Sequence, residues 1–413
     1  MEFHDIADFV LMHKEHETAK IGIDRETGRI AKVYKIIDRA HFPLYGAIKG
    51  KDSEARPILD DWWRDTRTLP ISRVGLARVL RPLRASSGSQ LLLLNNGLSM
   101  VDHYWIKQAG DDFDWADINF YDNGENNKQI GDFMVYDGVD MRGRPIADPS
   151  FAVNGAQPKR WLIHDGVVVL EKAPTVDFNN QQAFNEQIGG LTAAILNFHS
   201  VQYGVREYYG RFYSFCKSFT DRNTEYISAD AIMKTRQKSN NHSEMQHYAA
   251  CCEHLGIDPD IAMRAFAENA VVDSVIANSD RSKSNFGFKR DADTLEYISP
   301  APMFDFANSL WSDCVVDRGT FIIDPNGPGR GNTFIEMAYD MVQYPCSKPF
   351  HSEHGKQLAA IPKKYFAHMD LKHLDAVPDL AHGILKRHMD PQRLDMTIAA
   401  LRTRIDVTRG LVL

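Results

Sequence analysis

The sequence predicts an α+β protein in which a strand-rich stretch precedes a mostly helical one. Before residue 220 alternating apolar runs flank turn residues, and after it most segments have the apolar pattern of helices. Hydrophobic residues make up 43% of the chain and charged residues 25%, which is an ordinary globular composition. The 413 residues correspond to about two to three domains.

The charge and cysteine contents exclude several classes of protein. The chain has 48 Lys and Arg and 55 Asp and Glu residues, a net charge of −7, so direct nucleic-acid binding, which needs a basic face, is not expected. Five cysteines without a C-x-x-C pair favour a reducing, cytoplasmic location. The acidic N-terminus is not typical of a signal peptide. Because the apolar runs fall short of the ~20 residues of a membrane helix, no membrane association is expected.

Residues 1–145 are expected to form an N-terminal α+β region. Its patterns predict a hairpin at 19–36, an amphipathic helix at 55–69, a strand, turn and second structured run at 90–107, and a surface loop with short elements at 111–127.

Residues 146–220 are expected to be strand-rich, with a hairpin at 159–173 around an Asp-Gly turn and a helix at 184–201. Residues 221–413 are expected to be mostly helical, with a loop and hairpin at 280–309. The helices are predicted at 244–256, 261–279, 334–344, 373–389 and 393–407. By analogy, a strand-rich part followed by a helical part with such an insert is the arrangement of bilobal kinases.

Phosphoryl transfer from ATP needs cations for the phosphates, oxygen ligands for Mg²⁺ and a carboxylate that orients the attacking hydroxyl. The stretch from Asn154 to Lys159 contains Gly155 and Ala156, whose small side chains would let backbone N–H groups approach phosphates. Alone, this pattern is more typical of a plain turn, because it matches neither G-x-G-x-x-G nor G-x-x-x-x-G-K-[ST].

A lysine and a glutamate are candidates for a phosphate-binding ion pair. Lys172 ends a predicted strand, and Glu186 lies 14 residues later on the first turn of the next helix. Each has an ordinary alternative. A strand lysine usually faces solvent, and a glutamate on a first helical turn can simply complement the helix dipole.

Three further residues complete the constellation. Asp280 and Asn285 have the D-x-x-x-x-N spacing of a kinase catalytic loop, in which the aspartate accepts the hydroxyl proton and the asparagine holds a metal ion. Asp305 follows an apolar segment 20 residues after Asn285, as a metal-binding aspartate would, although a helix cap or a turn also explains it. Each motif is weak alone, and their joint order favours a kinase.

The same residues resemble the bacterial HipA-like serine/threonine kinases, and more closely the CtkA-type subgroup. The resemblance covers most of residues 65–350. It rests on the strand lysine and on the segments TLPISRVGLARVL, GLSMVDHYWIK, GAQPK, FNE, FYSFCKSFTDRNTEYISA, NSDRSKSNFGF and PMFDFANSLW.

The resemblance implies a bilobal protein-kinase-like (HipA/PI-kinase-like) fold with a strand-rich N-lobe at 146–220, a helical C-lobe at 221–413 and an added N-terminal region. It implies Mg²⁺ and ATP as cofactors, a protein substrate with a Ser/Thr acceptor, and an antitoxin or regulatory protein as a partner. The implied roles are catalysis for Asp280, metal binding for Asn285 and Asp305, and nucleotide binding for Asn154, Gly155, Ala156, Gln157, Lys159, Lys172 and Glu186. The segment 217–219 would lie near the adenine.

Three positions depart from the family pattern. Ser282 replaces the usual histidine of the catalytic loop, and Ala307 replaces the usual glycine after the metal-binding aspartate, where it would resist a positive φ. Ala152 occupies the place of a serine that such kinases phosphorylate, and Ser150 lies two residues away. Ser282 and Ala307 keep one alternative open, a nucleotide-binding pseudokinase that binds partners. A kinase that acts on a lipid or small molecule is a second alternative, because the fold analogy does not fix the acceptor.

Two histidine pairs, His13 with His16 and His351 with His354, have helical spacing. Because no clustered acidic or cysteine partner completes a zinc ligand set, we expect surface histidines and no zinc site.

Overall fold

The computed structural model describes residues 5–44, 51–124, 128–136, 148–152, 155, 157–175, 179–317, 320–323, 334–335 and 354–413. Within these ranges the protein has a mixed α+β fold with four antiparallel sheets. None of the described helices combines the length and the apolar character that crossing a bilayer requires.

The first sheet has four strands in the order β3-β2-β1-β4. The strands are β1 (Ile6–His13), β2 (His16–Asp24), β3 (Arg29–Ile36) and β4 (Tyr104–Gln108). The predicted hairpin at 19–36 is confirmed as β2 and β3. Gly28 in its turn has φ +69°, and a Cβ atom there would lie 2.2 Å from the Ser89 carbonyl oxygen. Only glycine fits this turn, because it tolerates both the left-handed backbone and the close approach.

Helix α1 (Arg56–Arg67) packs on this sheet and confirms the predicted amphipathic helix. Trp62 and Trp63 are buried in the same apolar cluster as strand residues such as Leu11 and Ile21. The short helices α2 (Leu76–Leu80), α3 (Gly88–Leu91), α4 (Trp115–Ile118), α5 (Phe120–Asn123) and α6 (Lys128–Val135) follow.

The prediction that the segment 90–107 begins with a strand is wrong. Its first residues belong to α3 and the turns after it, and Ser87 caps this helix by accepting a hydrogen bond from the Gln90 N–H. Leu91 and Leu92 are fully buried. A short apolar run does not distinguish a buried strand from a buried helical turn, so the serine cap decides the local structure.

The second sheet has the order β5-β6-β8-β7. Its strands are β5 (Lys159–His164), β6 (Val167–Lys172), β7 (Tyr203–Tyr208) and β8 (Arg211–Lys217). The hairpin predicted at 159–173 is confirmed, and the helix predicted at 184–201 is α7 (Gln182–Ile195). Strand β7 was not predicted.

The third sheet, β11-β10-β9, and the following helices enclose the largest apolar cluster. Its strands are β9 (Thr224–Ser228), β10 (Gly287–Asp291) and β11 (Tyr297–Pro300). The helices are α8 (Ala229–Met233), α9 (Glu244–His254), α10 (Pro259–Ile276), α11 (His354–Ala360), α12 (Val377–Leu385) and α13 (Pro391–Val412). The helices predicted at 244–256, 261–279, 373–389 and 393–407 are thus confirmed, and the third of them begins at Val377.

A small fourth sheet contains β12 (Cys314–Asp317), β13 (Thr320–Ile323) and β14 (Phe334–Ile335). The helix predicted at 334–344 is wrong at its first two residues, which form β14, and its remainder lies outside the described residues. The boundaries at 145 and 220 and the division into two lobes stay predictions.

The expectation of surface histidines is wrong for His13 and His354, which are buried. His13 ends β1 against Glu225 of β9, at 3.2 Å between Nε2 and Oε2, and His354 contacts the Asn278 carbonyl oxygen at 2.9 Å through Nε2. His16 is exposed as expected, and His351 lies outside the described residues. The partners were missed because they are distant in the sequence.

Replacing the buried Arg67 by leucine should destabilise the protein strongly. Arg67 donates to the buried carboxylate of Asp102 and lies 4.2 Å over the Trp62 ring, so its loss leaves an unpaired buried charge. We expect urea denaturation to show a loss of about 3–5 kcal/mol in the free energy of unfolding. Arg39→Leu, at an exposed ion pair with Asp52, is the control and should cost at most about 1 kcal/mol. Equal losses would contradict this assignment.

Candidate active site

The candidate site lies where the end of β6, the start of α7 and the loops after α10 and β11 meet. Lys172, the last residue of β6, is buried and pairs across the sheet with Lys159 of β5 and Ser214 of β8. The solvent-facing alternative for this strand lysine is therefore wrong. Antiparallel pairing on both sides fixes the backbone of Lys172 and directs its side chain towards α7.

Lys172 lies between two carboxylates. Its Nζ atom is 2.5 Å from Glu186 Oε1 and 2.6 Å from Asp305 Oδ1. Burial disfavours the charged ammonium, but Asp305 and Glu186 outweigh it and hold the pKa of Lys172 well above its usual value. Burial raises the pKa of the Glu186 carboxyl. Although burial has the same effect on Asp305, Lys172 and Lys159 lower its pKa to about 2, so this carboxylate is ionised.

The loop that carries Asp305 is fixed by two neighbouring residues of α7. Glu186 Oε2 accepts a hydrogen bond from the Phe306 N–H at 2.7 Å. The Asn185 side chain donates to the carbonyl oxygens of Ala307, at 2.8 Å, and Ser309, at 2.7 Å. Glu186 therefore holds both the lysine and the loop, and Asn185 is a positioning residue that the sequence analysis missed.

The expectation that this loop needs a positive φ at position 307 is wrong. The left-handed residue is Asp305 itself, with φ +64°, and Ala307 is not left-handed. Aspartate tolerates this region better than most residues because its short polar side chain bonds locally. The alanine therefore introduces no backbone strain at its position.

The second loop begins where α10 ends. Ala277 caps the helix in the left-handed region at φ +55°, and the chain then turns through Asn278 to Asp280. The Asp280 carboxylate accepts a hydrogen bond from Asn308 at 3.0 Å, which links the two loops. Asn285 donates its side-chain amide to the Asp280 carbonyl oxygen at 3.0 Å, so the D-x-x-x-x-N spacing closes a compact turn.

Arg281 is buried beneath this turn. It donates to both carboxylate oxygens of Asp273 on α10, at 2.9 and 3.0 Å. It also donates to the carbonyl oxygens of Asn285, at 2.8 Å, and Phe304, at 2.5 Å. Burial disfavours its charge, but Asp273 raises the pKa of Arg281 above its usual value. One side chain thus ties α10 to both loops. In the sequence, only the position of Arg281 next to Asp280 indicated that it belongs to the site.

The predicted phosphate loop is described only in part, since Asn154 and Ala156 lie outside the described residues. Gly155 has φ +106°, and a Cβ atom on it would lie 2.9 Å from Lys159 Nζ. The Gln157 amide donates to the Ala173 carbonyl oxygen at 2.8 Å, so this side chain closes the base of the hairpin. Gly155 therefore leaves the space that the Lys159 ammonium uses.

Lys159 differs electrostatically from Lys172. No carboxylate of the described residues lies within ion-pair distance of its ammonium group. Burial lowers the pKa of Lys159 to about 7, and the nearby positive charge of Lys172 adds to this effect. A bound anion would compensate the charge of Lys159 and raise its pKa again.

These residues line one cavity of about 380 Å³, a volume typical of small-molecule sites. Its polar end holds Gly155, Lys159, Lys172, Asp280, Asn285 and Asp305. Its apolar walls include Trp161, Leu170, Phe219, Tyr226 and Phe304. All the described site residues that the sequence predicted line this cavity, except Gln157 and Glu186.

The N-terminal region contributes to the same cavity through Trp62, Asp65, Thr66, Asp102 and Tyr104, which the sequence analysis did not foresee. Ser282 also lines it. Ser150 does not lie at its surface. This serine is fully buried, and its hydroxyl accepts a hydrogen bond from the Trp161 N–H at 3.0 Å.

The oxygen atoms at the polar end fit a divalent cation. Asp305 keeps its second carboxylate oxygen, and Asn285 keeps its side-chain carbonyl oxygen, without a hydrogen-bond partner in the described parts of the chain. Carboxylate and amide oxygens are ligands that Mg²⁺ prefers.

No protein-family model and no curated protein sequence matches this chain. Several solved structures are similar to it, among them the following two. The kinase CtkA of Helicobacter pylori, described as proinflammatory, covers 61% of this chain and 93% of its own at 19% identity, with a TM-score of 0.42. HipA of Shewanella oneidensis MR-1, from a toxin–antitoxin system and solved with HipB and operator DNA, covers 98% of both chains at 13% identity, with a TM-score of 0.56. The second comparison confirms that this chain has a HipA-like fold.

Proposed function

We propose that this protein is a kinase that uses ATP and Mg²⁺ to phosphorylate Ser/Thr hydroxyls of a protein substrate. The observation that carries the proposal is the buried contact of Lys172 with both Glu186 and Asp305, in one cavity with Asp280 and Asn285. Phosphate-binding cations, metal-binding oxygens and a carboxylate for the acceptor are thus present together, as phosphoryl transfer requires.

The cations of the site would bind the phosphates. Lys172 is held by Glu186 and would place its ammonium beside the phosphate chain, while Lys159 would neutralise further charge next to Gly155. The apolar walls around Phe219 and Phe304 would accept the adenine ring. Asp305 and Asn285 would hold Mg²⁺, which when bound neutralises charge on the transferred group.

Asp280 would orient the acceptor hydroxyl and accept its proton. The hydrogen bond from Asn308 fixes the orientation of the carboxylate and favours its ionised form. Arg281 acts through the backbone by holding both loops, so we assign it a positioning role.

We also propose that an antitoxin or another regulatory protein binds this chain, because the HipA structure of similar fold contains HipB and operator DNA. A cytoplasmic location is consistent with the free thiols of the four described cysteines, Cys216, Cys251, Cys252 and Cys314.

Asp280→Asn should lower phosphoryl transfer by about 10²–10⁴-fold, because the hydroxyl loses its proton acceptor. Intact mass after incubation with Mg-ATP, together with ADP release, measures the effect. Asp395→Asn makes the same change on the exposed face of α13 and should retain full activity. Full activity in Asp280→Asn would remove Asp280 from the catalytic site, whereas nucleotide binding without transfer in the parent protein would support the pseudokinase alternative.

Lys172→Met should weaken Mg-ATP binding by at least about tenfold, since a charge-assisted phosphate contact is worth roughly 1.5–3 kcal/mol. Titration calorimetry measures the Kd. Lys20→Met is the control, because Lys20 is an exposed lysine of strand β2 that does not line the cavity, and its Kd should not change. Equal affinities of the two variants would contradict the phosphate role of Lys172.

Nucleotide binding near pH 7.5 should take up between about half and three quarters of a proton through Lys159. The pKa of Lys159 is about 7 without nucleotide, so the group is largely neutral at pH 7.5 and becomes protonated when phosphate raises its pKa. Calorimetry in buffers of different ionisation enthalpy measures this uptake. Lys159→Arg stays charged at this pH and should reduce the uptake. An unchanged uptake in Lys159→Arg would refute the assignment.

A further inference from the structure

A second cluster of charged and metal-ligating side chains lies behind the cavity wall, where the first and third sheets meet. It contains His13 at the end of β1, His103 just before β4 and Glu225 on β9. All three side chains are at most 1% exposed. Their potential ligand atoms lie within 4.8 Å of one another.

The hydrogen bonds of His103 leave one of its nitrogens facing a carboxylate. Its Nε2 atom is 3.0 Å from the Asp221 carbonyl oxygen, and a carbonyl oxygen only accepts, so Nε2 carries a proton. In the neutral ring Nδ1 then presents a lone pair. This atom is buried without a hydrogen-bond partner, 3.7 Å from Glu225 Oε2. Two lone pairs that face each other in a buried site need a positive charge between them.

The contacts of His13 also allow one of its ring nitrogens to direct a lone pair towards Glu225. Its Nε2 atom lies 3.2 Å from the same Glu225 oxygen, and its Nδ1 atom lies 2.8 Å from His41 Nδ1. His41 Nδ1 can accept this hydrogen bond when its ring carries the proton on Nε2. His13 can therefore donate Nδ1–H to His41 and direct the Nε2 lone pair towards Glu225. Such an outer partner fixes the orientation of many metal-binding histidines.

We propose that His13 Nε2, His103 Nδ1 and Glu225 Oε2 form a binding site for a divalent transition-metal ion, with Zn²⁺ as the best fit. Two imidazoles and one carboxylate are a known zinc donor set. Bond lengths of about 2.0–2.2 Å in a tetrahedral site place neighbouring ligand atoms about 3.3–3.5 Å apart. The separations of 3.2 and 3.7 Å from Glu225 bracket this value.

The ion would have a structural role. The three ligands come from β1, the segment before β4 and β9, so one ion would join the N-terminal sheet to the third sheet. Glu225 also accepts hydrogen bonds from Arg290 through Oε1, at 2.7 Å from Nε, and Arg290 and Tyr104 line the cavity. The site therefore supports the cavity wall without contacting the groups assigned to phosphoryl transfer.

The test is the metal content of the tag-free full-length protein after incubation with Zn²⁺ and dialysis. We expect about one Zn²⁺ per chain, and removal of the ion by a chelator should lower the Tm by at least about 3 °C. A metal content below about 0.1 per chain with no Tm response would overturn the proposal, and a proton on the histidines would then supply the positive charge.

Variants locate the ion. His103→Gln or Glu225→Gln should abolish binding, whereas His16→Ala and Asp38→Asn should retain it. His16→Ala and Asp38→Asn are controls, because they change a neighbouring group of potential ligands formed by His16, Asp38 and His41. His16 in this group is exposed. Loss of Zn²⁺ in these variants would overturn the assignment, and this control holds even where the variants of buried residues do not fold.

Discussion

The candidate active site depends on the buried contact of Lys172 with Glu186 and Asp305. Two carboxylates so close to each other would repel in a buried place, and the lysine makes their proximity favourable. Glu186 uses its second oxygen to hold the Phe306 N–H, so the same side chain sets the position of the cation and of the loop that carries Asp305. Removing the lysine would leave two buried carboxylates without a compensating charge, which is why both depend on Lys172.

Hydrogen bonds to the backbone give this charged unit its geometry. Asn185 holds the loop after Asp305, and Arg281 holds the carbonyl oxygens on both sides of the site while Asp273 compensates its charge. Neither residue carries out chemistry in the proposed mechanism. Their role is to keep functional oxygens at fixed positions, so that little reorganisation accompanies the reaction.

The sequence predicts residues whose chemistry appears in short motifs and misses those that act across the chain. Lys172, Asp280, Asn285 and Asp305 are recognisable because local spacing and order resemble a known family, and the structure brings them to one cavity. Asn185, Arg281 and Asn308 were not identified, because their partners lie in other elements and an ordinary polar residue gives no local signal. The α+β class and most helices follow from periodicity. The strand predicted from the apolar run at 90–94 was wrong, because periodicity cannot distinguish a short strand from a buried turn.

The buried charge clusters around Lys172 and around Glu225 differ in their access to the cavity, and this difference separates their proposed roles. The cluster around Lys172 opens into the cavity, and its neighbour Lys159 lacks a carboxylate partner among the described residues, which is why we propose that a phosphate completes it. The cluster around Glu225 lies behind the cavity wall, and its His13, His103 and Glu225 side chains are at most 1% exposed. Arg290 belongs to the second cluster and lines the cavity of the first. The N-terminal region therefore forms part of the cavity's support, and loosening its junction with the third sheet would alter the cavity wall before it altered the groups proposed to transfer phosphate.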